Sequence, residues 1–176
     1  MVNTGSKQGI TMPPENLPYN VSKAALKCYT EGLEHDLRNS INNNCRVRAA
    51  LLVPGWVNTS IMLKNSRKEA LHSNSGRGKD DFDPDSVFFH EGKPASGAWM
   101  PKQVIDCMVE ELDKGKFYLI CPDNDVDRET DNLRMTWAMQ DITMDRPPLS
   151  RWHDDYKDEF AKYCLLQETN KGKHEE

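Results

Sequence analysis

The 176-residue chain has no apolar run near the roughly 18 residues that a membrane-spanning helix requires. Its amino terminus, MVNTGSK, lacks the basic and then apolar regions of a secretory signal peptide. Cysteine is sparse and unpatterned. Cys28, Cys45, Cys107, Cys121 and Cys164 are five in number, and none forms a Cys-x-x-Cys pair. That argues against both a zinc site and a disulfide framework and favours reduced thiols in the cytoplasm. Basic residues are in the minority, with a formal net charge of −5, so nucleic acid is not an expected partner. The histidines (His35, His72, His90, His153, His174) show no ligand spacing, and no metal site is expected. Aspartates 80, 81, 83 and 85 resemble a calcium loop, but the required glycine and closing glutamate are misplaced. Apolar residues are also few, at 37%, with a mean hydropathy of −0.78. That is thin for a compact α/β protein.

What is present has an alternating order. MVNTG reads as the end of a strand entering a loop. The spacing predicts a helix over 18–38, with Val21, Ala25, Cys28 and Gly32 on one stripe and Leu26, Tyr29, Leu33 and Leu37 on the next. Asn42, Asn43 and Asn44 break it. Arg46 to Val53 reads as a buried strand of a parallel sheet, closed by Pro54-Gly55. Residues 60–99 are polar and aperiodic, apart from Val87-Phe88-Phe89, and read as a lid or an unstructured segment. Pro101 opens a helix whose Val104, Ile105, Met108, Val109 and Leu112 recur at helical spacing until Gly115. Phe117 to Pro122 is a further strand, Val126 to Met144 a further helix, and Asp154 to Leu166 a last amphipathic segment. Residues 167–176 read as a disordered tail. Alternating strands and helices imply a parallel sheet covered by helices. Two strands and a stub make only part of a doubly wound sheet.

Chemistry concentrates in the first sixty residues. Ser6 stands thirteen positions before Tyr19, and Lys23 four after it. Tyr19 and Lys23 open a helix and therefore share one side, a turn apart. A free phenol is a poor base at neutral pH. An ammonium a few ångström away, together with the positive end of the helix dipole, favours the phenolate and so suits a tyrosine to proton transfer. Ser6, just past a strand, could bond the same substrate oxygen. A Tyr-x-x-x-Lys pair alone is a weak signal. It gains weight from VPGWVNT (53–59), a Pro-Gly turn at a strand's carboxyl end, where open α/β sheets bind ligands. Gln8 and Trp56 could face a substrate, although turn packing is the plainer reading of each. Trp99 reads as a core anchor.

Together NTGSKQG, YNVSKAALKCYTEGLEHDLR and RVRAALLVPGWVNT resemble the short-chain dehydrogenase/reductases. That family pairs a Rossmann fold with a Ser, twelve intervening residues, Tyr-x-x-x-Lys and a later Pro-Gly-x-Val-x-Thr. The resemblance implies hydride transfer between NAD or NADP and a carbonyl or alcohol. It makes Ser6, Tyr19 and Lys23 catalytic, with Tyr19 as acid/base. Tyr19 and Lys23, with Pro54, Gly55, Val57 and Thr59, would border the nicotinamide and its ribose. It also implies a homo-oligomer formed through helix 18–38. CPDNDVDRETD and DRPPLSRWHDDY resemble uncharacterised members and add no mechanistic residue.

The glycine-rich strand-turn-helix that cradles the pyrophosphate in such enzymes is missing. Gly76-Arg77-Gly78 follows no strand. The chain therefore reads as the carboxyl-terminal portion of a Rossmann domain. Residues 1–59 would be its catalytic and nicotinamide-side core, 60–99 a substrate lid, 100–166 a helix-strand-helix and 167–176 the tail. On this reading the chain alone is inactive. Its alternatives are a non-catalytic interaction module or a fragment of a longer reading frame.

Overall fold

The computed structural model describes residues 1–39, 46–59 and 97–171. Three short strands, β1 (Val2–Thr4), β2 (Ala50–Val53) and β3 (Tyr118–Ile120), form one parallel sheet in the order β1-β2-β3. Val2 pairs with Ala50, and Leu51 with Tyr118. The helices are α1 (Gln8–Thr11), α2 (Leu17–Asn39), α3 (Pro101–Asp113), α4 (Arg128–Thr143) and α5 (Lys157–Lys171), with two 3₁₀ turns at Ser150–Trp152 and Asp154–Tyr156. Among the described residues no helix is long and apolar enough to cross a membrane.

Alternation along the strands builds two apolar layers. Ala50, Leu52, Leu119 and Cys121 meet Val104 of α3 on one face. Leu51, Val53 and Ile120 meet Ile10 of α1 and Met135 of α4 on the other. α2 lies on this second face, where Asn3, the register partner of Leu51, donates to Thr30 Oγ1 at 3.0 Å. Trp99 packs against the α3-side core and bridges Val57, as an anchor should.

Several elements depart from the sequence reading. α1 is additional, ended by Met12 in the left-handed region at φ 43°. The strand expected over 46–53 is pared to Ala50–Val53, because the preceding groups are taken by a side chain. Glu34 accepts from the Arg48 Nε at 2.6 Å and the Ala49 amide at 2.7 Å. Residues 167–171, expected in a disordered tail, continue α5.

The largest departure concerns α2. Its buried residues are the polar Asn20, Thr30 and Glu34. Val21 and Tyr29, from the two expected apolar stripes, are 58% and 64% exposed. The inner side is instead satisfied by hydrogen bonds: Asn20 Nδ2 to the Pro13 carbonyl, Thr30 to Asn3 and the Leu26 carbonyl, and Glu34 to Arg38, Arg48 and Ala49. Most of the expected lid (60–96) lies outside the described residues, with its Asp80–Asp85 run, Gly76-Arg77-Gly78, His72 and His90.

Candidate functional site

All three strands run the same way, so their carboxyl ends share one edge of the sheet. Three loops leave that edge: Gly5-Ser6-Lys7 after β1, Pro54-Gly55-Trp56 after β2 and Cys121-Pro122-Asp123 after β3. In open α/β sheets this edge is where ligands are taken.

Ser6 is half-buried, and its Oγ accepts the Gln8 amide at 3.2 Å while its carbonyl accepts the Gly9 amide at 3.0 Å. The Ser6 loop is pressed onto α2 at Gly9. A Cβ at Gly9 would stand 2.6 Å from the Lys23 carbonyl carbon and 2.8 Å from the Lys23 Cβ. Such contacts are not tolerated, so glycine is required for this approach.

Tyr19 and Lys23 occupy the first turns of α2, both half-buried. The Lys23 Nζ lies 5.7 Å from the Tyr19 ring centroid and donates to the Thr4 carbonyl at 2.9 Å. One of its three N–H groups is thereby spent on the end of β1, which leaves two donors. Lys23 thus ties α2 to the end of β1, just ahead of Ser6. The Tyr19 carbonyl accepts from the Ser22 hydroxyl at 2.7 Å.

The Pro-Gly turn is fixed by backbone bonds. Gly55 donates to the Cys121 carbonyl at 3.1 Å, Trp99 to the Trp56 carbonyl at 2.9 Å, and Asn58 to the Trp99 carbonyl at 2.9 Å. Pro54, Gly55 and Val57 are half-buried, and Thr59 is exposed at the end of its described segment. Among the described residues no hydrogen bond joins this turn to Tyr19 or Lys23. The two groups share the sheet edge without a direct hydrogen bond between them.

Sequence reasoning missed the groups that hold these loops. Lys7, next to Ser6, extends inward to Asp131 Oδ2 at 2.6 Å and Asp123 Oδ2 at 3.6 Å. The three side chains are 14%, 3% and 8% exposed. Burial pushes the Asp131 carboxyl above its usual range, with Lys7 opposing. The available signal was positional: a lysine beside the serine, and an aspartate at the end of a strand. Gln8 contributes a buried Oε1 without a hydrogen-bond partner among the described residues. Trp56 is 42% exposed. Among the described residues no group of His, Cys, Asp or Glu could hold a metal ion.

A cavity of about 470 Å³ opens elsewhere, at the amino-terminal edge of the sheet, lined by Glu34, Arg38, Arg48 and Lys116 among others. Its charges serve one another, since Glu34 pairs with Arg38 and Arg48 and Lys116 with Glu111. Ser6, Tyr19 and Lys23 do not line it.

No family model matches the chain, and no curated protein matches it. Among solved structures it is similar to a short chain dehydrogenase/reductase from Burkholderia phymatum in complex with NAD, at 27% identity and a TM-score of 0.55. The similarity covers 84% of this chain and 49% of that one, so the chain spans about half the length of this neighbour. The three-stranded parallel sheet and its helices are consistent with a partial Rossmann-like fold, and the similarity supports a short-chain dehydrogenase/reductase-like fold over that span.

Proposed function

We propose that this chain is the catalytic, carboxyl-terminal portion of an NAD(P)-dependent oxidoreductase of the short-chain dehydrogenase/reductase type, acting on a carbonyl or alcohol. The observation that carries the reading is the seating of Ser6 against α2 through Gly9, beside Lys23 and Tyr19, at the carboxyl edge of a parallel sheet. The NAD complex of the structural neighbour supports the choice of cofactor class.

The residues present fit the nicotinamide-ribose end of such a cofactor. Lys23 has two donors left after its bond to Thr4, and Pro54, Gly55, Val57 and Thr59 border the same edge. No glycine-rich strand-turn-helix in the sequence offers a pyrophosphate cradle. When bound, the nicotinamide supplies or accepts the hydride at the substrate carbon. In the reductive direction the Tyr19 hydroxyl gives its proton to the carbonyl oxygen, so that carbon and oxygen together gain a hydride and a proton. The Lys23 ammonium stabilises the phenolate left behind, and solvent restores its proton. Ser6 orients the substrate oxygen by a hydrogen bond. Oxidation of an alcohol runs these steps in reverse.

On this reading the 176-residue chain alone has no NAD(P)H turnover. The native polypeptide, captured through a peptide spanning Tyr19 to Lys23, has a mass of about 30 kDa, the chain plus about four βα units. Tyr19→Phe in that native form lowers kcat by about 10²- to 10⁴-fold and leaves NADH binding in place, as a fluorescence titration would read. Turnover unaffected by Tyr19→Phe would sink the proposal. The exposed Leu17, Val21 and Tyr29 of α2 support self-association through this helix, which size-exclusion chromatography would report.

A further inference from the structure

The segment after β3 contributes more than a return to the next helix. The ladder continues past the strands, with the Cys121 amide on the Val53 carbonyl at 3.0 Å and the Gly55 amide on the Cys121 carbonyl at 3.1 Å. This delivers Asp123 alongside the Pro-Gly turn. Its Oδ2 accepts the Trp56 amide at 2.9 Å. Its Oδ1 accepts the Val126 amide at 2.8 Å and the Asp125 amide at 3.1 Å. A Cβ at Gly55 would stand 2.9 Å from both the Cβ and the Cγ of Asp123, so the turn and the carboxylate are fitted to each other. The same Oδ2 is 3.6 Å from Lys7 Nζ, in the Ser6 loop, and Lys7 is anchored to Asp131 in the first turn of α4.

One buried carboxylate therefore hydrogen-bonds the Pro54–Trp56 turn and stands at ion-pair distance from the Ser6 loop. We propose that Asp123 is a positioning residue that locks the Ser6 loop and the Pro54–Trp56 turn into one unit, so that the substrate side and the nicotinamide side move together. The lock itself is a property of this chain; its link to hydride transfer rests on the function proposed above. The two halves of the carboxylate are both committed. An asparagine at this position has one acceptor oxygen and can serve Trp56 or the 125–126 amides, not both.

The test is residue-resolved amide exchange by NMR on the 176-residue chain, comparing wild type, Asp123→Asn, Lys7→Gln, Lys7→Arg and the Asp123→Asn/Lys7→Gln double variant. Loss of a charge-assisted hydrogen bond, or of the ion pair that holds its acceptor, accelerates exchange by about tenfold. Asp123→Asn should do so at Trp56 and also at Gln8 and Gly9 in the other loop. Lys7→Gln should do so at Trp56, which it does not bond. The double variant should show no further increase, and Lys7→Arg should restore the wild-type rate. Should Asp123→Asn lose its helical circular dichroism, Lys7→Gln decides alone. An unchanged Trp56 amide in Lys7→Gln would overturn the proposal and leave Asp123 as a local turn residue. NADH titrated into the native polypeptide, alongside these exchange data, separates the two readings. Coupled loops without NADH binding by the native protein keep the lock and remove the oxidoreductase assignment; binding without coupling does the reverse.

Discussion

The sheet and the carboxyl-terminal helices are held together in different ways. Around β2 the buried residues are aliphatic, with Leu51, Val53 and Leu119 at 1% exposure or less. Around α4 the centre is a single tryptophan locked by polar groups. Trp137 is 1% exposed, donates its Nε1 proton to Ser150 Oγ at 2.8 Å, and meets Phe160 and Tyr163 edge-on at 5.2 Å. Asp141 accepts from Ser150 Oγ at 2.6 Å, from the Ser150 amide at 3.1 Å and from Arg146 at 3.0 Å. The Arg146 guanidinium lies 3.6 Å from the Trp137 ring centroid. Aliphatic burial is non-directional and tolerant of neighbours. A hydrogen-bonded and stacked centre is directional, and it fails when one member is removed. The difference teaches that one small chain can carry a core written by hydrophobicity and a second written by specific polar contacts.

That contrast can be broken at its second half. Trp137→Ala should cost about 4 kcal/mol, the range for emptying a large buried aromatic site. Near-UV circular dichroism should lose its strongest asymmetric signal, and exchange protection should vanish along α5 before β2. Equal loss in β2 would show instead that the two cores unfold as one unit. Asp141→Asn is a sharper probe with a smaller effect, about 2 kcal/mol. It keeps the volume but removes the charge that Arg146 faces, so urea denaturation should shift its midpoint while the slope stays unchanged.

The third probe is read against pH and concerns a polar contact on the sheet side, at Glu34. Burial acts to raise this carboxyl, but hydrogen bonds from Arg48, Arg38 and the Ala49 amide win and hold it at about 2 in place of 4.5. A carboxylate depressed on folding stabilises the protein above its unfolded value and loses that contribution as pH falls through the folded one. Stability should therefore decline between about pH 4.5 and about pH 2. Glu34→Gln should flatten this part of the profile, as a series of thermal melts across that range would register.

The helix over 18–38, the parallel class of the sheet and the Ser6, Tyr19 and Lys23 spacing were all legible in the residues. The first was read from helical spacing, the second from the alternation of strands and helices, and the third from positions along the chain. α1 was not legible, since four residues carry no period. The burial of α2 and α4 was not legible either. Asp131, Asp141, Thr30 and Glu34 are buried while Ile142 is 77% exposed, an inversion of the apolar pattern that only their partners explain.

What the sequence by itself determined is the order of the longer helices and the strands, the aliphatic character of those strands and the residue types of the candidate site, because these depend on neighbours along the chain. The tertiary structure alone decided that Gly9 would seat the serine loop on Lys23 and that Lys7 would turn inward to Asp131. It also decided that Asp123, 67 residues along the chain from Trp56, would accept that residue's amide and stand 3.6 Å from Lys7 in the serine loop. Those contacts depend on which strand ends meet at one edge of the sheet, and hydrophobic pattern holds no information about where a buried charge will find its partner.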